Sequence, residues 1–124
     1  MKKRLLGCWE LVGHGLRSPD GTFKPTSDFI LGRLIYEPGG GMSVLIVLKK
    51  PVESLSDMIA YSGRFSTKAE SVFHHVDVAN RSSRVGNIEE RCARFEGDDL
   101  ILTTRPKSEG TYEIVWRRTP AHPE

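Results

Sequence analysis

The chain has 124 residues, 38% of them hydrophobic and 27% charged, and 18 basic residues against 16 acidic ones give a net charge of +2. This length fits one domain over residues 1–124, and the composition is that of a soluble globule rather than a disordered chain. The charge is too balanced and the basic residues are too scattered to predict nucleic-acid binding. No apolar run approaches the roughly 20 residues of a membrane span.

The chain begins MKKRLLGC, in which a basic start precedes a sequence that resembles a lipoprotein cleavage site. A secretory signal needs an apolar run of about 7–15 residues, whereas only Leu5 and Leu6 precede Cys8. Cys8 and Cys92 have neither the spacing of metal ligands nor that of a disulfide framework. We therefore expect a protein of the reducing cytoplasm.

Alternation of apolar and polar residues, interrupted by turn residues at short intervals, predicts strands along most of the chain. Glu37–Gly41 and Glu96–Asp99 have the glycines of hairpin turns, Ser18–Pro25 is predicted to be a longer loop, and Pro51 begins a segment that suits one or two helical turns. The eight predicted strands are Gly7–Leu16, Ile30–Tyr36, Met42–Leu48, Ile59–Ser66, Ser71–Ala79, Gly86–Glu96, Asp99–Thr104 and Gly110–Arg118.

Short strands joined by tight turns, without room for crossover helices, predict an all-β antiparallel fold. A twisted sheet of this many strands tends to close, so we expect an eight-stranded antiparallel up-and-down β-barrel. A two-sheet sandwich is the alternative. A barrel of eight strands is either filled by its own side chains or holds one small ligand.

The apolar parity of each strand assigns the barrel interior. In the fifth predicted strand it directs His74 inward with Val76 and Val78, and directs His75 outward beside Asp77. Adjacent side chains of a regular strand face opposite sides, so these two histidines cannot bind one metal ion, and no other metal motif is present. The other residues assigned to the interior are Trp9, Leu11, Met42, Val44, Ile46, Ile59, Tyr61, Gly63, Phe65, Val72, Leu100, Leu102, Tyr112, Ile114 and Trp116.

The sixth predicted strand places two charged side chains, Glu89 and Arg91, on the inner parity with Ala93. Strand pairing would set His74 opposite Arg91 or Ala93, which brings His74, Glu89 and Arg91 together. Three interpretations are open: a satisfied structural network, recognition of a ligand, or catalysis. In a catalytic site His74 acts as general acid or base, Glu89 orients it, and Arg91 holds a carboxylate or an oxyanion.

Several stretches, in this order and spacing, resemble the bacterial and fungal lipocalin-like domain family. They are LLGCWELVG from Leu5, GRLIYEPGGGMSV from Gly32, YSGRF from Tyr61, FHHVDV from Phe73, VGNIEER from Val85 and FEGDDLILTT from Phe95. The resemblance implies an eight-stranded lipocalin-like barrel with a pocket for a small, mainly apolar molecule and no settled activity.

The Gly7-x-Trp9 sequence is also similar to the first-strand signature of lipocalins, in which a basic side chain of the last strand packs over the tryptophan. Arg118 has the position for that cation–π contact. The chain departs from the family pattern near Lys49–Asp57, where the loop is shorter, and at Asn80–Arg84, which replaces a segment with proline and tryptophan. Both departures fall at the ends of the predicted barrel.

The sequence thus predicts binding of a small, mainly apolar molecule with a polar or acidic group, without a cofactor. The candidate ligand-binding residues are His74, Glu89, Arg91, Tyr61, Tyr112, Phe65, Val44 and Ile46, with Tyr36 as a further source of a hydroxyl. An alternative is an enzyme (a cyclase, isomerase or hydratase) that uses His74. Another is an interaction module whose barrel is filled by side chains.

Two apolar residues, Leu45 and Val47, are predicted to face outward on the third predicted strand. Either the Pro51 segment covers them or they form the face of a homodimer, and we expect the homodimer.

Overall fold

The computed structural model describes residues 1–104 and 108–120. This part of the chain contains a short helix, two 3₁₀ turns (Leu55–Asp57 and Ser82–Arg84) and nine strands, and none of its helices has the length and hydropathy of a membrane crossing. The elements are α1 (Lys2–Leu5), β1 (Gly7–Arg17), β2 (Phe23–Pro25), β3 (Leu31–Tyr36), β4 (Gly41–Val47), β5 (Met58–Lys68), β6 (Ser71–Ala79), β7 (Ile88–Glu96), β8 (Asp99–Thr103) and β9 (Thr111–Arg118).

Eight of these strands close into a barrel. Their order is β1-β3-β4-β5-β6-β7-β8-β9, every neighbouring pair is antiparallel, and β9 returns to pair with β1 from Trp9↔Arg118 to Arg17↔Thr111. Closure leaves the sheet with no free edge along this ring. The predicted eight-stranded up-and-down barrel is confirmed, and the sandwich is not formed.

The predicted strands agree with the observed ones to within about two residues at each end, apart from one omission. The omitted strand, β2, lies inside the predicted Ser18–Pro25 loop and pairs with the end of β1, from Gly15 to Arg17. Three residues are too few to show a period-two pattern.

One end of the barrel is closed by α1. Leu5 is completely buried there, and its carbonyl oxygen accepts a hydrogen bond of 2.8 Å from the indole Nε1–H of Trp9. The guanidinium carbon of Arg118 lies 4.2 Å from the centre of the Trp9 ring, and Arg118 donates a hydrogen bond of 2.8 Å to the Arg4 carbonyl oxygen. The predicted cation–π contact is therefore present, and it fastens α1 over the barrel.

A β-bulge interrupts the pairing of β5 with β6. Ser62 pairs with Val78 and Gly63 pairs with Val76, which leaves Asp77 as the extra residue. The extra residue reverses the parity of β6, so that Val76 is 2% exposed but Val78 is 65% exposed. The prediction that Val78 faces the interior is wrong for this reason.

The register of β6 with β7 also differs from the prediction. His74 lies opposite Glu89 and Val72 lies opposite Arg91, so His74 is not opposite Arg91 or Ala93. The connection sets this register, because the Val76 N–H donates to the Asn87 carbonyl oxygen and the Gly86 N–H donates to that of Val76. A shift of two residues preserves the face of the sheet, so the charged side chains of β7 still lie on the side of His74.

Candidate functional site

The barrel contains a cavity of about 390 Å³ with a mainly apolar wall. Its floor and sides come from strand residues of the inner parity, and its rim includes residues of the loops. The lining residues are His14, Asp28, Phe29, Leu34, Val44, Ile46, Ile59, Tyr61, His74, Arg84, Arg91, Leu102, Thr104, Tyr112, Ile114 and Trp116. The barrel interior is therefore not completely filled by its own side chains.

Six of the eight candidate ligand-binding residues line this cavity, and two do not. Phe65 packs in the core with its ring centre 4.6 Å from that of Tyr36, and Glu89 is not among the residues that line the cavity. Tyr112 is 45% exposed, which places it at the open rim rather than in the interior. The residues in the wall are His74, Arg91, Tyr61, Tyr112, Val44 and Ile46.

His74 is held between two tyrosines. The hydroxyl of Tyr36 lies 2.6 Å from Nε2 of His74, and the hydroxyl of Tyr61 lies 2.8 Å from Nδ1. His74 is 2% exposed, and burial, together with the positive charge of Arg91, lowers its pKa to about 3. Burial also raises the pKa of Tyr61 to about 12 and that of Tyr36 well above its usual range. At neutral pH the imidazole is therefore neutral and both hydroxyls carry their protons.

Two arginines share the single negative charge of Glu89. Nη1 of Arg84 donates to Oε1 of Glu89 at 3.2 Å, whereas Nη2 of Arg91 lies 3.9 Å from Oε2. Arg91 also donates to the Glu90 carbonyl oxygen at 2.8 Å. Within the described chain no hydrogen bond joins His74 to Glu89 or to Arg91, so the predicted orientation of the imidazole by Glu89 is not observed. The cluster leaves a net positive charge beside the cavity.

Sequence reasoning missed a second histidine in the wall, His14 of β1. Its Nε2 accepts the Phe29 N–H at 3.1 Å, its Nδ1 lies 2.8 Å from Oγ1 of Thr26, and its ring stacks on that of Phe29 with 4.0 Å between centres. Burial lowers its pKa, against the opposing charge of Asp28. A bulge between Leu11 and Gly13 turns His14 inward, whereas an unbroken alternation from Trp9 directs it outward.

Arg84, Asp28 and Phe29 were also missed, because they lie outside the predicted strands or at their ends, where strand parity assigns no direction. In residues 1–104 and 108–120 no group of three or more histidine, cysteine, aspartate or glutamate side chains is placed to hold a metal ion.

The fold has counterparts among solved structures. A lipocalin-like protein from Bacteroides uniformis is 17% identical, with a TM-score of 0.58 over 94% of this chain and 99% of that chain. An uncharacterized protein from Bacteroides eggerthii is 13% identical, with a TM-score of 0.54 over 93% of this chain and 99% of that chain. A mutant of the fluorescent protein UnaG is 13% identical, with a TM-score of 0.50 over 98% and 100% of the two chains. Identities this low show a shared fold alone.

A search of curated proteins finds no significant match. The family model described as a lipocalin-like domain matches residues 6–119, which is nearly the whole chain. It covers every strand of the closed barrel and the residues of the cavity wall. The chain therefore belongs to the lipocalin-like domain family.

Proposed function

We propose that this protein binds a small, mainly apolar molecule with one polar or acidic group inside the barrel. The observation that carries the proposal is the cavity of about 390 Å³, whose apolar wall includes two guanidinium groups, Arg84 and Arg91. Small-molecule sites span about 300–1,000 Å³ and combine apolar walls with a few polar groups that fix orientation. This cavity is at the small end of that range, so its ligand has one or two rings or a short chain.

In this proposal the apolar body of the ligand packs on Val44 and Ile46, and Tyr61 with His74 forms the polar part of the wall. Arg91 supplies charge for an acidic group, since guanidinium groups bind carboxylates with strong, directional hydrogen bonds. Glu89 acts indirectly by holding the arginines, Tyr112 contacts the ligand at the rim, and Phe65 supports the wall from behind.

A ligand screen tests the proposal. Aliphatic and aromatic carboxylates such as decanoate and 4-tert-butylbenzoate, with their uncharged analogues, are measured by thermal shift and by tryptophan fluorescence, because Trp116 lines the cavity. We expect a raised melting temperature and a change in emission for compounds that fit. A varied panel in which no compound shifts either signal would contradict the proposal.

Two substitutions locate the site. Val44→Phe fills part of the cavity and should abolish binding while the circular dichroism spectrum is retained.

Arg91→Gln should weaken binding of carboxylates about tenfold and leave the binding of uncharged ligands nearly unaffected. The matched control is Arg33→Gln, because Arg33 is an exposed arginine of β3 that faces away from the cavity and pairs with Glu10 at 3.9 Å. An equal loss in both arginine variants would contradict a role for Arg91.

The enzyme interpretation stays a prediction that no specific contact favours. Both ring nitrogens of His74 are hydrogen-bonded to tyrosines, and Glu89 is hydrogen-bonded to Arg84. A general base needs a nitrogen that a substrate proton can reach.

The homodimer and the cytoplasmic location also stay predictions. The segment 51–57 does not cover Leu45, which is 45% exposed, and Leu31 on the paired strand is 54% exposed. Analytical ultracentrifugation of the wild type and of Leu45→Glu tests the dimer: a dimer that the substitution dissociates is expected.

A further inference from the structure

The two tyrosines that contact His74 differ in their access to the cavity. This difference decides which ring nitrogen of His74 carries the proton. Tyr36 is completely buried and is not part of the cavity wall, whereas Tyr61 lines the cavity. In the described part of the chain, each hydroxyl has a single hydrogen-bond partner, which is Nε2 of His74 for Tyr36 and Nδ1 for Tyr61.

A neutral imidazole donates from one nitrogen and accepts at the other. If Nε2 carried the proton, Tyr36 would accept it, and the hydroxyl proton of Tyr36 would be buried without an acceptor, at a cost of about 1–3 kcal/mol. If Nδ1 carries the proton, Tyr36 donates to Nε2 and Nδ1–H donates to the Tyr61 oxygen. The second arrangement gives the proton of Tyr36 an acceptor. The hydroxyl proton that it leaves without an acceptor is that of Tyr61, which lines the cavity and can point into it.

Three other polar side chains of the cavity wall are also donors. Within residues 1–104 and 108–120 the buried indole Nε1–H of Trp116 has no hydrogen-bond partner, and the guanidinium groups of Arg84 and Arg91 have no acceptor atoms. His14 offers no free acceptor either. Its Nε2 is occupied by the Phe29 N–H, and its Nδ1 is therefore the nitrogen that donates to Thr26.

Acceptor side chains of the wall lie at the rim. Asp28 and Tyr112 are exposed, and Oγ1 of Thr104 already accepts the Tyr112 N–H. A ligand group inside the barrel therefore meets hydrogen-bond donors.

We propose that Tyr36 fixes the proton of His74 on Nδ1, so that Tyr61 presents its hydroxyl proton to the cavity and selects ligands whose polar group is an acceptor oxygen, of a carbonyl or a carboxylate. Tyr36 is a positioning residue here, since it acts through His74. The ligand part of this inference rests on the proposed function, whereas the protonation of His74 does not.

The first experiment needs no ligand. Nitrogen NMR of protein with ¹⁵N-labelled histidine, at neutral pH, reports which ring nitrogen of His74 carries the proton, and a His74→Gln sample assigns the signals. We expect a protonated Nδ1 and an unprotonated Nε2. A protonated Nε2 would overturn the inference whatever the protein binds.

The second experiment compares two probes of one shape, 4-tert-butylacetophenone and the alkene in which a CH₂ group replaces the ketone oxygen. The wild type should bind the ketone about tenfold more tightly, because only the ketone accepts a hydrogen bond. In Tyr61→Phe this ratio should fall to about one. In Tyr36→Phe it should fall severalfold, because Tyr61 is then free to turn its proton toward His74.

The ratio of the two affinities is the readout, since a merely structural defect weakens both probes alike. Ser62→Ala is the control, because it removes a hydroxyl of β5 that faces away from the cavity and bonds to the Met42 carbonyl oxygen at 3.0 Å. A ratio near one in the wild type, or a ratio unchanged in both tyrosine variants, would overturn the inference.

A third probe, 4-tert-butylbenzoate, has a carboxylate in place of the ketone. Its affinity shows whether the site prefers a carboxylate or a neutral carbonyl as the acceptor. If the benzoate binds more tightly than the ketone, the preferred acceptor group of the ligand is a carboxylate. If none of the three probes binds and the varied panel of the ligand screen is also negative, the proposed function fails together with the ligand part of the inference, whereas a protonated Nδ1 still supports the assigned protonation of His74.

Discussion

At the scale of single residues, the two histidines of the cavity wall are components of the wall rather than exposed reactive groups. His14 and His74 are both almost completely buried, and hydrogen bonds occupy both ring nitrogens of each. Burial disfavours the charged form of each ring, and the positive charge of Arg91 adds to this effect at His74. Their buried neutral rings make the stability of the fold sensitive to acid.

The stability should therefore fall with pH in a way that His74→Gln reduces. An unfolded histidine binds a proton below about pH 6.5, whereas folded His74 does so only near its pKa of about 3. Between these values the unfolded state binds more protons, so the free energy of unfolding decreases as the pH falls, by at most about 1.4 kcal/mol per pH unit for this residue.

Urea denaturation at pH 7, 6 and 5 measures this effect. His74→Gln should be less stable at pH 7 by about 1–3 kcal/mol, because the Tyr36 hydroxyl loses its partner, but its stability should depend less on pH than that of the wild type. Equal pH dependence in the two proteins would show that His74 is not the titrating group.

At the scale of the elements, two β-bulges decide which side chains reach the cavity. The bulge of β1 between Leu11 and Gly13 brings His14 inside, and the bulge of β6 at Asp77 ends the inner parity after Val76. The second bulge brings the two backbones close at Gly63, where an added Cβ would overlap the carbonyl oxygen of His75. Glycine at this position is therefore a requirement of the bulge.

Gly63→Ala should destabilise the protein by about 1–3 kcal/mol, because the overlap is with backbone that cannot move without breaking strand pairing. Gly13→Ala is the matched control. A Cβ at Gly13 meets no atom within 4 Å, so its effect should stay within about 0.5 kcal/mol. Thermal denaturation of the two variants makes the comparison, and equal melting temperatures would contradict the assigned role of Gly63.

At the scale of the whole molecule, one end of the barrel is closed and the other end is open. One end is sealed by α1 over Trp9, with Arg118 as the clasp, and the other opens past Asp28 and Tyr112 to the cavity. Arg118 is not among the residues that line the cavity. Its contacts with Trp9 and α1 should therefore stabilise the fold without affecting ligand binding.

Arg118→Ala should lower the free energy of unfolding by about 1–2 kcal/mol, since it removes the cation–π contact and hydrogen bonds to the carbonyl oxygens of Arg4 and Leu6. Arg117→Ala is the neighbouring control. Arg117 pairs with Asp99 at 2.9 Å on the exposed side, where solvent screening makes an ion pair weak. Chemical denaturation and hydrogen exchange of α1 measure both variants, and equal losses would contradict the role of Arg118 as a clasp.

The sequence by itself determined the eight strands of the barrel and the inward direction of His74, Tyr61 and Arg91, because local alternation and turn residues encode these. The short strand β2 was not encoded in this way, and the pairing of β1 with β9 decided between the barrel and the sandwich. Tertiary structure alone decided the inward turn of His14, the exposure of Val78 and the pairing of His74 with Glu89 across the strands. A single extra residue in a bulge reverses parity, and a connection shifts register, without altering the pattern of apolar residues. The network of Tyr36, His74 and Tyr61 also depends on tertiary structure, since it joins three strands whose side chains meet only in the closed barrel.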